Sequence, residues 1–208
     1  EFDPADIAYS HIYPAIARTF RTAGFSWVTQ FSYAPIDIAE SNTEYQTHYM
    51  NLVYTPSKAI SLMIAGEVMR NVRRGETFGE YPADTTFSHC VVSYKCDLSV
   101  WNSGDKYIHS NTTDVAPKEI KQLTQIAGVG SSPIVTYEGR GAYFLDKLED
   151  GIWRLEIMPD AVVVADAYEK PSPERRVVET LYHKWPMTIT LPDIGMERSE
   201  EHTSELQS

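Results

Sequence analysis

The sequence predicts a chain of two characters, an α/β part followed by an all-β part. Three observations carry that reading. Residues 1–77 hold two apolar patterns of helical period on either side of one aromatic run of period two. From about Thr85 the pattern changes to short β-rich runs separated by turn residues. Between them "FGEYPAD", 78–84, has the composition of a linker, and the β part is taken as 85–197. At 208 residues and 42 % hydrophobic, the chain can bury one or two cores.

The elements follow in order. "FDPAD" sets Asp3 as a possible N-cap with Pro4 at a first helical position, but Pro14 would break a continuous helix. The expectation is therefore a short turn, then a helix from about Tyr13 to Ala23 that stops at Gly24. "FSWVTQF", 25–31, alternates Phe25, Trp27 and Phe31 with smaller or polar residues, a strand pattern. "YTPSKAISLMIAGEVMRNVRRG" supplies a second helix, with Thr55 as N-cap, Pro56 at the first position and Gly75 as the stop. Its basic cluster "RNVRRG" falls at the helix end, where cations are favoured. A lone strand cannot make a sheet, so strand and helices together read as the last unit and a half of a larger α/β domain.

The β part reads as "TFSHCVVSYK", "KYIHSN", "SPIVTYEG", "GAYFLDKL", "GIWRLEIM", "AVVVAD", "RRVVETLY" and "PMTITL". The clearest pairing is a hairpin in which "EDG", 149–151, joins "AYFLDKL" to "IWRLEIM". Runs of this spacing fit an antiparallel β-sandwich. If "SHCVVSYKC" is one strand, Cys90 and Cys96 lie roughly 20 Å apart, too far for a disulfide. Two buried thiols are the expectation, and a turn near Ser93 would be required for a bridge.

Composition excludes several functions. A formal charge of −11 with scattered bases argues against nucleic acid and anionic membrane surfaces. No apolar run is long enough to span a bilayer. There is no phosphate-binding glycine loop, since "GVGSSP" lacks the spacing, and no G-x-S-x-G elbow. Six scattered histidines show no metal-ligand spacing, so neither a metal nor a cofactor is expected. The ends are unusual. Residues 198–208, "RSEEHTSELQS", match the in-frame translation of a short-read sequencing adapter and are expected to be an artefactual tail. Glu1 in place of an initiator Met, with no signal segment, predicts a piece of a longer protein.

Three stretches, "GFSWVTQFSYAP", "NTEYQTHYMNLVYTPSKAISL" and "GAYFLDKLEDGIWRLEIMPD", carry a resemblance. They resemble the C-terminal half of a group of large secreted bacterial proteins classed with glycoside hydrolases, and through them the retaining clan with a (β/α)8 barrel followed by a β-sandwich. The likeness covers nearly all of 1–197, and its motifs are family-like rather than catalytic. It implies the last one and a half βα units of a TIM-like barrel, with the rest of the barrel upstream. "MNLVYTPSKA" is similar to the passage where that clan leaves strand 8 through a P-x-K-A-like sequence.

That placement would make the first helix helix 7 and would set Glu1, in "EFD", at the position of the nucleophile. The alternative is a plain terminal carboxylate. The mechanism implied is double displacement, with a second acid about 5 Å away. That acid would belong to strand 4, outside this chain.

In a barrel, the loop after a strand stands over the C-terminal face, where sites are built. On that architecture Gln30 ends the strand, Tyr33 follows, and Asn42, Tyr45, His48 and Tyr49 lie on the loop above. Sugars need flat apolar faces beside hydroxyl-bonding groups, and these residues supply both. The other reading is that they pack the loop and satisfy its backbone.

In the β part Trp101, Tyr107, Trp153 and Trp185 are candidates for a sugar platform, although Trp153 alternates with Leu155 and Ile157 as a core residue would. The expected partner is a polysaccharide or oligosaccharide, and the resemblance implies a secreted, periplasmic or cell-surface protein. The competing expectation is a non-catalytic glycan-binding or cell-surface structural protein. A third, less favoured because a lone strand lacks neighbours, is a self-contained two-domain protein.

Overall fold

The structure is a computed structural model and describes residues 1–2, 9–31, 33, 40, 50–80, 85–166, 172 and 174–194. It is mixed α/β, with two α-helices and a majority of sheet among the described residues, whose sheets are open and do not close into a barrel.

Helix α1 (Ile12–Thr22) carries Pro14 in its first turn, where a backbone N–H has no intrahelical partner to lose. It ends as the sequence suggests. Ala23 N–H donates to Thr19 O, Gly24 N–H to Arg21 O, and Gly24 takes φ +88°, a conformation that favours glycine. Helix α2 (Pro56–Asn71) has Pro56 at its start and stops short of Gly75. Thr55 occupies the N-cap position but does not cap: its hydroxyl exchanges hydrogen bonds with the backbone of Asn51, 2.9 and 3.0 Å. Asn51 holds the entry turn instead, its carboxamide oxygen accepting from Val53 N–H and Tyr54 N–H.

The expected strand at 25–31 is absent as a regular element. The segment is extended and makes one parallel bridge, Phe2 to Gln30, with Phe2 N–H donating to Thr29 O and Phe31 N–H to Phe2 O. A second parallel bridge joins Tyr33 to Met50. Among the described residues no strand flanks this segment, and Phe25, Trp27 and Phe31 are all exposed.

The β part forms strands β1 (Thr86–Phe87), β2 (Cys90–Ser93), β3 (Leu98–Asn102), β4 (Lys106–His109), β5 (Gln125–Val129), β6 (Val135–Tyr137), β7 (Ala142–Glu149), β8 (Ile152–Ile157), β9 (Asp160–Val163), β10 (Val178–Leu181) and β11 (Met187–Ile189). Seven of them build one sheet in the order β1-β2-β3-β4-β5-β7-β8. The expectation of an antiparallel architecture needs correction at one place, because β4 and β5 run parallel. Small ladders β9–β10 and β6–β11 stand apart. The β7–β8 hairpin turns at Gly151 with φ +75°.

Alternation along the central strands sends side chains to two cores. On one face Cys90, Val92, Trp101, Ile108, Ala127 and Ala142 pack with Tyr13 of α1 and Ile60, Ile64 and Val68 of α2. On the other, Leu98, Val100, Tyr107, Ile126, Tyr143 and Leu145 pack with Val135, Tyr137 and Leu191. The helices thus cover the sheet directly. Two buried arginines fasten their ends. Arg21 donates to Val72 O and Phe25 O, while Arg18 reaches Phe78 O and Gly79 O with its guanidinium over the Phe87 ring.

The start of α1 is capped from the sheet. Asp97, in the β2–β3 turn at φ +46°, accepts Ser10 N–H at 2.7 Å and His11 N–H at 3.0 Å, and its oxygen lies 2.8 Å from His11 Nδ1. Burial would raise the Asp97 carboxyl, but these hydrogen bonds outweigh it and hold the group below the usual carboxylate range. Asp97→Ala is expected to cost about 2 kcal/mol, the loss of a cap that leaves the Ser10 and His11 N–H groups unpaired. Urea unfolding at neutral pH checks it, and a loss below about 0.5 kcal/mol would mean the tether is not stabilising.

That same turn corrects the cysteine reading. The strand ends at Ser93, Cys90 is buried and Cys96 is exposed, and both are free thiols. Burial pushes the Cys90 thiol far up, so it is inert.

Candidate functional site

Of the seven candidates on the α/β side, Glu1, Gln30, Tyr33, Asn42, Tyr45, His48 and Tyr49, the structure describes the first three. Phe2 bridges Gln30, so the structure brings Glu1 beside the end of the extended segment that carries Gln30, and Tyr33 follows beside Met50. Glu1 and Tyr33 are exposed. Asn42, Tyr45, His48 and Tyr49 lie outside the described residues, as does most of the loop that was expected to stand over them.

Gln30 lines a groove of about 480 Å³ between the extended segment and the two helices. One wall is Trp27, 76 % exposed, with Thr29 and Gln30; the other is α2, with Leu62, Met69 and Arg70. Gly66 on α2 leaves the Arg70 guanidinium space across the groove floor. The Gln30 amide nitrogen donates to the Phe31 carbonyl, whereas its side-chain oxygen is buried with no hydrogen-bond partner. A buried acceptor in that state demands a donor. Arg70 is held by Glu67 at 2.7 Å and remains largely exposed.

Chemically, the groove offers an indole face, apolar side chains, one cation and unspent hydrogen-bonding capacity. No carboxylate occurs among its described lining residues. No group of three or more His, Cys, Asp or Glu able to hold a metal occurs among the described residues. No described helix is long and apolar enough to cross a membrane.

A second, polar cleft of about 340 Å³ lies where α2 meets the sheet, lined by Glu67, Asn71, His89, Asp105 and Lys106 among others. Glu67 is buried and binds Lys106 at 2.8 Å, Arg70 at 2.7 Å and Asn71 at 3.1 Å. Burial would raise its carboxyl; the bonds from Lys106 and Arg70 outweigh that and hold it below its usual range. The cluster ties α2 to β4. No sequence signal marked it, because its members come from three separated stretches.

The aromatic platform suggested for the β part is largely corrected. Trp101 and Tyr107 are buried in the two cores, and Tyr107 donates to Val115 O. Trp153 is half-buried and donates to Asp193. Trp185 keeps a free surface, donating to Asp160 and stacking near His183 at 4.3 Å.

The site so defined is a surface groove on a mixed α/β scaffold. Comparison with family models, with curated proteins and with solved structures returns no match for this chain.

Proposed function

We propose that this chain handles glycans, as the closing part of a retaining glycoside hydrolase with a (β/α)8 barrel followed by a β-sandwich, acting on a plant or algal polysaccharide at the cell surface or outside the cell. The observation that carries the reading is the Gln30 groove, where a buried unpartnered acceptor lies beside an exposed indole. A sugar ring presents hydroxyl donors and a flat C–H face, and this pairing meets both. The barrel part of the proposal is supported by two successive parallel bridges with α1 between the first pair of segments, the connectivity of a βαβ unit.

In that reading Glu1 is the nucleophile, Gln30 and Tyr33 bind substrate, and Asn42, Tyr45, His48 and Tyr49 complete the subsite. A second reading, a non-catalytic glycan-binding or cell-surface structural protein, is supported by the absence of a carboxylate among the groove's described lining residues.

The test is binding of the full chain to a panel of soluble plant and algal polysaccharides, read by tryptophan fluorescence and by affinity electrophoresis. Trp27→Ala and Gln30→Ala are each expected to weaken binding about tenfold, the loss of one stacking or hydrogen-bonding contact of roughly 1.4 kcal/mol. The chain alone is expected to release no reducing ends. Failure of every polysaccharide to bind would sink the proposal and leave the groove as a packing surface; hydrolysis lost in Glu1→Gln would decide for the enzyme reading over the second.

A further inference from the structure

β8 ends the seven-stranded sheet, and among the described residues no strand pairs with its outer edge. Of its six residues only Trp153 is partly buried. Leu155 and Ile157 are 41 % and 44 % exposed, although their partners across β7, Leu145 and Tyr143, are buried in the core. The apolar layer runs out to the rim and stops there. No described residue pairs with that rim, and neither proline nor lysine guards 152–157.

The direction of the free backbone groups follows from the ladder. Met158 N–H donates to Ala142 O, and Lys147 N–H turns the other way to Thr124 O. By the alternation of antiparallel pairing, Arg154 and Glu156 spend their backbone groups on β7, while Trp153, Leu155 and Ile157 direct theirs outward.

We infer that this edge is a self-association surface: two copies of the chain pair β8 with β8 antiparallel about a twofold axis at Leu155, merging their sheets. In that register Trp153 stands opposite the partner's Ile157, with outward N–H and C=O groups matched, and Leu155 meets its own copy. Arg154 stands opposite the partner's Glu156, twice by symmetry.

The neighbouring registers fail on charge or on backbone. A centre at Arg154 or at Glu156 opposes like charges, and one at Trp153 sets Glu156 against the partner's Asp150. A centre at Ile157 sets Leu155 against the partner's Pro159, which has no N–H to give. The Leu155 centre pairs 153–157 in full with opposite charges facing, and opposes like charges only beyond the strand, where Asp150 meets the partner's Asp160, whereas a centre at Trp153 pairs only 152–154. The inference is independent of the glycan reading.

Sedimentation equilibrium of the full chain tests it, with circular dichroism verifying the fold of each variant. The wild type is expected to show a monomer–dimer equilibrium. Arg154→Glu and Glu156→Arg, each placing like charges across the axis, should weaken it at least about tenfold. An equimolar mixture of the two single variants should restore it to within about threefold of wild type, since opposite charges again face one another across the axis. Within its own chain Arg154 binds Asp146 at 2.8 Å and Glu156 at 3.3 Å, and in neither variant of the mixture does that 154–156 pair keep opposite signs. A mixture as weak as Arg154→Glu alone would therefore assign the effect to those internal pairs and overturn the inference. So would a natively folded monomer at every concentration, which would leave the edge to a strand from another protein, or a dimer indifferent to both single exchanges.

Discussion

Trp101→Ala is expected to remove about 3–5 kcal/mol of folding stability, enough to unfold much of the population of a domain of ordinary stability. The indole is 1 % exposed and sits on β3 in the core between the sheet and the helices, with Cys90, Ile108 and Ala127 among its company. Its N–H donates to Ser103 Oγ at 3.2 Å and the His89 ring meets it edge to face at 5.5 Å. Truncation leaves a cavity that rigid neighbours on both layers can fill only in part. Urea unfolding followed by circular dichroism measures it, with Trp27→Ala as the control: an indole 76 % exposed should cost less than about 0.5 kcal/mol. Similar small losses in both would place Trp101 at the surface and contradict its burial.

The second large effect is acid lability centred on His109. This residue is fully buried on β4, its Nδ1 2.9 Å from Asn111 O and its Nε2 2.7 Å from the Tyr143 hydroxyl. A carbonyl can only accept, so Nδ1 carries the proton and Nε2 accepts from Tyr143. Burial disfavours the imidazolium and lowers the His109 pKa to about 4, against a smaller upward pull from backbone hydrogen bonds.

The unfolded chain, at about 6.5, then binds more protons than the folded one between those values. Stability is full above the unfolded value and falls with pH, by about 2 kcal/mol at pH 5 and about 3 at pH 4. Urea titrations at pH 7 and pH 5 read the drop, and His109→Gln should flatten it in that window. Equal stability of the wild type at both pH values would refute the prediction. The surroundings leave no slack, since a Cβ on Gly128 would fall 2.4 Å from His109 Nε2 and 2.8 Å from the Tyr143 hydroxyl.

What could be read from the sequence divides along physical lines. Both helices were legible because Pro56, Gly24 and apolar spacing are local signals. The outer strands were legible through alternation. β3 and β5 were not: "LSVWN" and "QIAGV" are buried on both faces, so neither alternates. Ser99 and Asn102 look like loop residues, yet each is satisfied inside, Ser99 by Ser61 and Ser110, Asn102 by Ala116 O and Lys118 N–H.

At 25–31 the error ran the other way, for among the described residues the alternation met only the single bridge to Phe2. Of the candidate site, Gln30 was found by its place at the end of that run. Trp27 and Arg70 were passed over because their meeting depends on how the segment packs against α2, 40 residues later. Trp101 and Tyr107 were misjudged because an aromatic with a polar tip suits a core and a surface equally, and only burial separates them.

The shared core also has a temporal meaning. α2 ends at Asn71, but the strands it packs against, β3, β4, β5 and β7, extend to Glu149. A ribosome adding 5–20 residues per second therefore leaves the apolar side of α2 without its cover for roughly 4–15 s. The parallel β4–β5 pair lengthens that interval, because its register cannot close until the 110–124 crossing has been made. For this chain, the vulnerable moment is the emergence of the helices ahead of their sheet, when chaperone capture competes with self-association.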